Sequence, residues 1–150
     1  MRPLLLLAIL LFPGTLPSAP ADQPKHNVLF LISDDLTYTA LSCYGNKVCK
    51  TPNIDRLASR GTRFTRAYCQ GTYCGPSRAS FMSGYYPHAT GELGYRNPRP
   101  RIGNRATWSQ HFMNSGYYAA RVSKIYHMGV PIGIEQGSHG ADDAASWTER

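Results

Sequence analysis

The sequence predicts an α/β fold in which helices flank a mostly parallel sheet. Strand and helix signals alternate along the 150 residues, and this alternation is typical of parallel α/β folds. The apolar run VLFLI at residues 28–32 suits a central strand that is covered on both faces. Residues 62–68 indicate a second strand, and the alternation of Tyr118, Ala120 and Val122 indicates a third over residues 118–122.

Two helices are predicted between these strands. The first begins with Thr51 as N-cap and Pro52 as first helical residue, and Gly61 ends it. The second begins at residue 76 or 77, continues to about residue 83 and stops at Gly84. The apolar face of the first helix carries Ile54, Leu57 and Ala58.

Residues 85–106 are rich in Gly, Pro, Arg and Tyr and predict a long loop. A third helix follows it, since Thr107-x-x-Gln110 is a capping box. This helix is expected to reach Asn114, and Gly116 closes it.

Residues 1–21 have the pattern of a secretory signal peptide. Arg2 precedes an apolar run at residues 4–12 that is too short to span a membrane, and residues 19–21 offer an A-x-A cleavage site. No later stretch is apolar enough for a membrane helix. Residues 22–150 are therefore expected to form one exported domain without a membrane anchor, which is secreted, periplasmic or lysosomal.

The formal net charge of +7 is densest in the predicted loop, at Arg96, Arg99, Arg101 and Arg105. This stretch either attracts an anionic substrate or is a solvated loop rich in proline. No nucleic-acid-binding motif is present, so nucleic acid is not an expected partner.

Four cysteines, Cys43, Cys49, Cys69 and Cys74, allow two disulfides in three connectivities. Their spacings lack the C-x2-C signature of structural zinc sites, so zinc is not expected. If Cys74 is chemically converted, one of the remaining three thiols is left over.

Cys74 lies just before the second predicted helix, in the run CGPSR at residues 74–78. The free N–H groups and the dipole of a helix N-terminus favour an anion or an ionised nucleophile. Arg78 can make two parallel hydrogen bonds to oxyanion oxygens. The same residues also suit a disulfide or a buried thiol at Cys74, with Arg78 on a solvated face.

Two further pairs of polar residues follow predicted strands, at the edge where open α/β sheets bind ligands. Asp34 and Asp35 offer hard oxygen ligands for Ca²⁺ or Mg²⁺, although Asp34 would equally cap a turn. Lys124 offers a point charge for a sulfate or phosphate oxygen, and His127 can donate a hydrogen bond or move a proton. Taken alone, both also suit ordinary surface.

Four segments, in this order, resemble motifs of the formylglycine-dependent sulfatases, a family of the alkaline-phosphatase-like superfamily. They are residues 27–35 (NVLFLISDD), 51–58 (TPNIDRLA), 74–84 (CGPSRASFMSG) and 123–127 (SKIYH). Ser83 replaces a threonine of the family pattern, and Ser123 replaces a glycine. The resemblance covers nearly all of residues 26–128. Residues 43–45, the form of the Lys124 motif, Asp142-Asp143 and Ser146-Trp147 are similar to the iduronate-2-sulfatase subgroup, whose features bacterial relatives with other sulfated sugars share.

The resemblance implies hydrolysis of sulfate monoesters, in particular those of sulfated sugars. A formylglycine-generating maturation enzyme would oxidise Cys74. A hydroxyl of the hydrated aldehyde would then attack sulfur, the bond from sulfur to the substrate alcohol would break, and the alcohol would leave behind a covalent sulfate ester. Deprotonation of the second hydroxyl would then expel sulfate. Arg78 would hold the hydrate, and Lys124 and His127 would bind the sulfate and stabilise the transition state.

The resemblance also implies a divalent cation, usually Ca²⁺ with Mg²⁺ as the alternative, bound by Asp34, Asp35 and the modified Cys74. Family members run to several hundred residues, and their remaining metal ligands lie beyond this length. Residues 22–150 are therefore expected to be the N-terminal part of a sulfatase catalytic domain, with an incomplete sheet, and to be inactive or fold poorly alone. Two other functions stay open: a phosphonate or phosphate ester hydrolase of the same superfamily, and a non-catalytic remnant that binds anionic glycans.

Overall fold

The computed structural model describes residues 25–129 and 132–150, and the predicted signal peptide at residues 1–21 lies outside them. The chain divides into two compact units, Met1–Leu31 and Ile32–Arg150. The described part of the first unit, residues 25–31, has no regular secondary structure. All the helices of the described residues belong to the second unit.

The described residues form six helices and three short 3₁₀ turns. The helices are α1 (Pro52–Arg60), α2 (Cys74–Ser83), α3 (Pro87–Thr90), α4 (Arg99–Ile102), α5 (Trp108–Asn114) and α6 (Ile132–Glu135). The 3₁₀ turns are Tyr38–Ala40, Ser42–Tyr44 and Ala144–Ser146. None of the described helices has the length and apolar character needed to cross a membrane.

Helix α1 confirms the first predicted helix, with Thr51 at the N-cap and Gly61 after its last residue. The Thr51 hydroxyl does not cap a helix N–H; it donates to Asp55 Oδ1 over 3.0 Å. The predicted apolar face is not covered, since Ile54 and Leu57 are 41% and 67% exposed.

Helix α2 begins at Cys74, slightly earlier than predicted, with Tyr73 at its N-cap. The Ser77 N–H donates to the Tyr73 carbonyl over 3.2 Å, so Pro76 lies in the first turn, where its missing N–H leaves no bond unmade. Gly84 ends the helix as predicted. Its φ of 75° is in the left-handed region, and its N–H donates to the Ser80 carbonyl over 2.8 Å.

The predicted loop at residues 85–106 contains two short helices, α3 and α4, each of which has a proline in its first turn. The capping box that starts α5 is confirmed. The Thr107 N–H donates to Gln110 Oε1 over 3.0 Å, and the Gln110 N–H donates to Thr107 Oγ1 over 3.4 Å.

The predicted parallel sheet is not formed by the described residues. No strand is present at residues 28–32, 62–68 or 118–122, and near the last of these an isolated parallel bridge joins Ala120 to Glu149. A central strand needs hydrogen-bond partners on both sides, and none of the described residues forms a strand. Residues 28–31 have exposed apolar side chains, and Ile32 is partly buried.

The second unit has a small apolar core next to a buried polar network. The buried apolar residues are Ala79, Met82, Ile102, Tyr126 and Met128. In the network, Arg99 donates to both Asp143 oxygens, over 3.0 and 2.5 Å, and Arg121 pairs with Asp142 at 2.8 Å. The Asp142 and Asp143 side chains are 1% and 2% exposed, so both carboxylates serve the packing of the unit.

All four cysteines are free thiols in the structure, so neither of the two disulfides that their even number allows is formed. Cys49 and Cys69 are exposed, and Cys43 and Cys74 are partly buried.

Candidate functional site

Three predicted site residues meet around the carboxylate of a fourth, Asp34. Arg78 Nη2 lies 2.7 Å from Asp34 Oδ1, and Lys124 Nζ lies 2.5 Å from Asp34 Oδ2. The Cys74 Sγ is 3.7 Å from Asp34 Oδ1 and 3.7 Å from Lys124 Nζ. The fold thus brings together Asp34 and Lys124, which are 90 positions apart in the chain.

Helix α2 positions both Cys74 and Arg78. The two residues are one helical turn apart, so their side chains lie on the same face. Arg78 is 4% exposed, and its Nη1 donates to the carbonyls of Lys124 and Ile125 over 2.7 Å each. Arg78 therefore joins α2, Asp34 and the segment that carries Lys124.

Asp34, Asp35 and Cys74 form a group that could hold a metal ion. One ligand atom from each lies within 4.8 Å of the others. Asp35 has a φ of 54°, a left-handed conformation that Asp adopts more readily than most residues. Carboxylate oxygens are ligands for Ca²⁺ and Mg²⁺, whereas a thiol is a poor ligand for these hard cations. An oxygen in place of the Cys74 sulfur would make the donor set uniform.

The charges of this cluster balance. The hydrogen bond from Lys124 is the main cause that lowers the pKa of Asp34 to about 2; partial burial opposes it, and Arg78 adds to it. Asp34 and Asp35 together offset Arg78 and Lys124 at neutral pH. A site with this balance can accept a cation and an anionic ester at once without a large net charge.

His127 lies beside the ion pairs. Burial lowers the pKa of His127 below its usual value, and the charges of Lys124 and Arg78 lower it further, so the imidazole is neutral at pH 7. Its Nδ1 is buried without a hydrogen-bond partner among the described residues. The ring of Tyr95 packs against the imidazole ring of His127, with 4.1 Å between the ring centroids and a tilt of 30°.

Tyr95 and its neighbours are the part of the site that the sequence did not predict. A Cβ atom on Gly75 would lie 1.8 Å from the Gly94 carbonyl oxygen, so the loop runs directly against the start of α2. The Tyr73 hydroxyl donates to the Leu93 carbonyl, and the Tyr73 and Tyr95 rings meet edge to face at 5.9 Å. A Gly–Tyr pair in a loop carries no chemical signal of its own in the sequence.

Ser123, which replaces the glycine of the family pattern, has a φ of 62°. A left-handed conformation costs a residue with a Cβ roughly 1–2 kcal/mol, and the greater freedom of glycine in the unfolded chain offsets part of this. We expect Ser123→Gly to raise the free energy of unfolding by up to about 1 kcal/mol, measured by urea unfolding. Ser59→Gly, at an exposed position in the last turn of α1, should instead lower it by up to about 1 kcal/mol. A loss of stability in Ser123→Gly would contradict the prediction.

Replacing Lys124 should change the titration of His127. Because the positive charge of Lys124 is one cause of the low pKa of His127, we expect Lys124→Met to raise that pKa. An NMR titration of protein with labelled histidines measures it, with His111 as an internal reference. The same substitution at the exposed Lys47 should leave the pKa of His127 unchanged. An unaltered His127 pKa in Lys124→Met would show that the two groups do not interact.

Comparison with known proteins identifies a family to which this sequence is similar. The family model for sulfatases matches residues 26–131. Similar curated proteins include iduronate 2-sulfatase from Homo sapiens, 38% identical over 123 residues, and N-acetylglucosamine-6-O-sulfatase from Bacteroides thetaiotaomicron, 32% identical over 117 residues. Steryl-sulfatase from Mus musculus is 33% identical over 149 residues. These alignments cover 81%, 78% and 86% of this chain, but only 21%, 21% and 23% of the relatives.

Proposed function

The chain belongs to the sulfatase family, and from this premise we propose that the protein hydrolyses sulfate monoesters at Cys74. The observation that supports this best is the cluster in which Cys74 stands beside the cations Lys124 and Arg78 and the carboxylate of Asp34. Two cations suit an anionic ester and the charge that develops as its bond breaks. The chain spans about a fifth of the length of the curated relatives it matches, so this activity is proposed for the whole protein.

The nucleophile is proposed to be a formylglycine that a maturation enzyme makes from Cys74. The hydrated aldehyde would supply an oxygen nucleophile for attack on sulfur. Cys74 is a free, partly accessible thiol at the first residue of α2, which fits a residue that has to be modified.

Asp34, Asp35 and the modified Cys74 are proposed to hold a divalent cation, with Ca²⁺ preferred over Mg²⁺. The cation would contribute a positive charge that activates the nucleophile and polarises the ester. The donor atoms are close enough for one ion, and the carboxylates suit a hard cation. Two carboxylates fall short of the six to eight oxygens of a typical Ca²⁺ site, so further ligands are needed beyond these three residues.

The remaining side chains have separate roles in this proposal. Arg78 orients Asp34 and the Lys124 segment through its three hydrogen bonds of 2.7 Å. Lys124, between Asp34 and Cys74, would donate to a sulfate oxygen. The neutral His127 would bind the sulfate beside it and can donate a hydrogen bond as charge develops on the leaving group.

We propose that the substrate is a sulfated sugar. Two of the relatives are named for sulfatase activity on sugar residues, iduronate and N-acetylglucosamine. The protein is proposed to be exported through the signal peptide at residues 1–21 and to act outside the cytoplasm or in a lysosome. Residues 22–150 would be the N-terminal part of an alkaline-phosphatase-like catalytic domain, whose parallel sheet would include residues 28–32.

Peptide mass spectrometry of the protein from its native host tests this proposal. Trypsin would release residues 67–78, and we expect this peptide to carry an aldehyde oxygen in place of the Cys74 sulfur. The same preparation should hydrolyse an aryl sulfate faster than a phosphodiester, and a chelator should remove the activity. An unmodified thiol would contradict the formylglycine mechanism, and faster phosphodiester cleavage would indicate a phosphoesterase.

A further inference from the structure

Four arginines of residues 96–105 have different environments in the structure. Arg99 is tied to the buried Asp143, and the Arg105 guanidinium lies over the Tyr85 ring at 5.0 Å. Arg96 and Arg101 are exposed and make no ion pair with a described residue. Two of the four cations thus stabilise the fold, and two are available to a ligand.

Arg96 and Arg101 line the same open cavity, which has a volume of about 600 Å³. This volume is within the range of ligand pockets and is large enough for a sugar ring. The other lining residues are Thr90, Glu92, Asn97 and Pro100.

Buried polar groups fix the wall of this cavity. Glu92 is 2% exposed, and its Oε1 accepts the N–H groups of Gly94 and Arg96 over 2.9 and 3.4 Å. Asn97 accepts the Arg99 N–H over 2.7 Å and donates to the Asp142 carbonyl over 2.8 Å. Two arginines face the single carboxylate of Glu92 in this lining, so the cavity has a formal net positive charge.

The cavity lies next to the candidate site along the chain. Arg96 follows Tyr95, whose ring covers His127, and consecutive Cα atoms are only about 3.8 Å apart. Tyr95 is 53% exposed although its ring packs against His127 and Tyr73, so part of this aromatic ring remains accessible to a sugar.

We infer that the cavity lined by Arg96 and Arg101 binds a second sulfate group of a saccharide whose first sulfate lies at Cys74. This inference rests on the proposed function and deepens it: the protein selects saccharides that carry a sulfate on two neighbouring rings. The planar fork of arginine can bind two oxygens of a sulfate at once, which a solvated lysine does not do.

Binding to the full-length mature protein with Cys74→Ala tests the inference, since this variant leaves the ligand intact. The probes are a disaccharide with a sulfate on each ring and the same disaccharide without the second sulfate. We expect Arg96→Ala/Arg101→Ala to weaken binding of the disulfated probe by about ten-fold or more in calorimetric titration. Binding of the monosulfated probe should change less than about two-fold.

The pair Arg60→Ala/Arg66→Ala is the matched control, because it removes two charges from exposed positions outside the cavity. Equal weakening by the control pair, equal weakening for both probes, or no preference of the parent protein for the second sulfate would overturn the inference. If the parent protein binds the disulfated probe more tightly but its native form does not hydrolyse aryl sulfates, the binding role of the cavity is supported and the proposed function is contradicted. If the native form hydrolyses aryl sulfates but the parent protein binds both probes equally, the proposed function is supported and the binding role of the cavity is contradicted.

Discussion

Replacing Cys74 with alanine is expected to lower kcat/KM for an aryl sulfate by at least about a thousand-fold, because the substitution removes the precursor of the nucleophile. The fold should survive, since the contacts of the thiol with Asp34 and Lys124 are weak, at 3.7 Å. Steady-state hydrolysis by matured protein, together with a thermal melt of each variant, measures both quantities.

Cys49→Ser is the control for this experiment, because Cys49 is an exposed free thiol outside the cluster. Its activity should stay within about two-fold of the parent protein. If Cys74→Ala kept more than a tenth of the activity, the nucleophile would have to lie elsewhere. If the parent protein had no turnover while Cys74→Ala still bound an acidic glycan in a salt-sensitive way, the non-catalytic interpretation would replace the enzyme.

Helix positions could be predicted because their signals lie within one turn of each helix end. Gly84 supplies the left-handed residue that ends α2, and Thr107 with Gln110 closes a box of reciprocal hydrogen bonds at the start of α5. These interactions need no distant partner. The short helices α3 and α4 were not predicted, because their prolines lie among many other residues that are typical of loops.

The sheet could not be predicted in the same way, because a strand depends on neighbours that its own sequence does not specify. Residues 28–32 have the composition of a buried strand, yet Leu29 is 82% and Leu31 is 75% exposed. Ile54 and Leu57 of α1 lack cover as well. The apolar pattern marks segments that need covering partners, and the described residues do not supply these partners.

The candidate site also combines residues that local motifs predict with contacts that only the fold provides. Asp34, Cys74 and Lys124 were predicted from their motifs. The ion pair between Asp34 and Lys124 follows from the fold alone, because no local pattern relates residues so far apart. Tyr95 lies in a loop without periodicity and was missed, as was Glu92 in the wall of the neighbouring cavity. The dense run of arginines was noticed, but only the structure distinguishes the buried ion pair of Arg99 from the open cavity at Arg96.

The ion pair between Arg99 and Asp143 should have the largest effect on stability. Arg99→Ala is expected to lower the free energy of unfolding by about 3–5 kcal/mol, because it leaves a buried carboxylate without its cation. Arg99 also donates to the carbonyls of Gly103 and Arg105 over 2.8 Å each, so part of the loss belongs to these bonds. Urea unfolding measures the loss, and Arg60→Ala, at an exposed position, should change stability by less than about 0.5 kcal/mol.

A double-mutant cycle with Asp143→Leu isolates the ion pair. Each single substitution leaves one charged partner uncompensated, whereas the double variant leaves neither, so its loss should be smaller than the sum of the two single losses. Losses that add within about 0.5 kcal/mol would show that the pair does not stabilise the fold.

The pH dependence gives an independent test of the same pair. Burial raises the pKa of Asp143, but hydrogen bonds from Arg99 and Ser146 outweigh burial and hold the pKa below its ordinary value of 3.8. In the parent protein the contribution of the Asp143 carboxylate to the free energy of unfolding is therefore present above pH 3.8. It is lost as the pH falls through the folded-state pKa of Asp143. Removing Arg99 takes away the largest contribution that opposes burial, so the folded-state pKa of Asp143 is higher in the variant than in the parent. The stability that the parent has in excess of the variant is therefore lost as the pH falls through these two pKa values. We expect the difference in unfolding free energy between the two proteins to narrow on acidification; a constant difference would mean that Arg99 acts through its carbonyl contacts and not through Asp143.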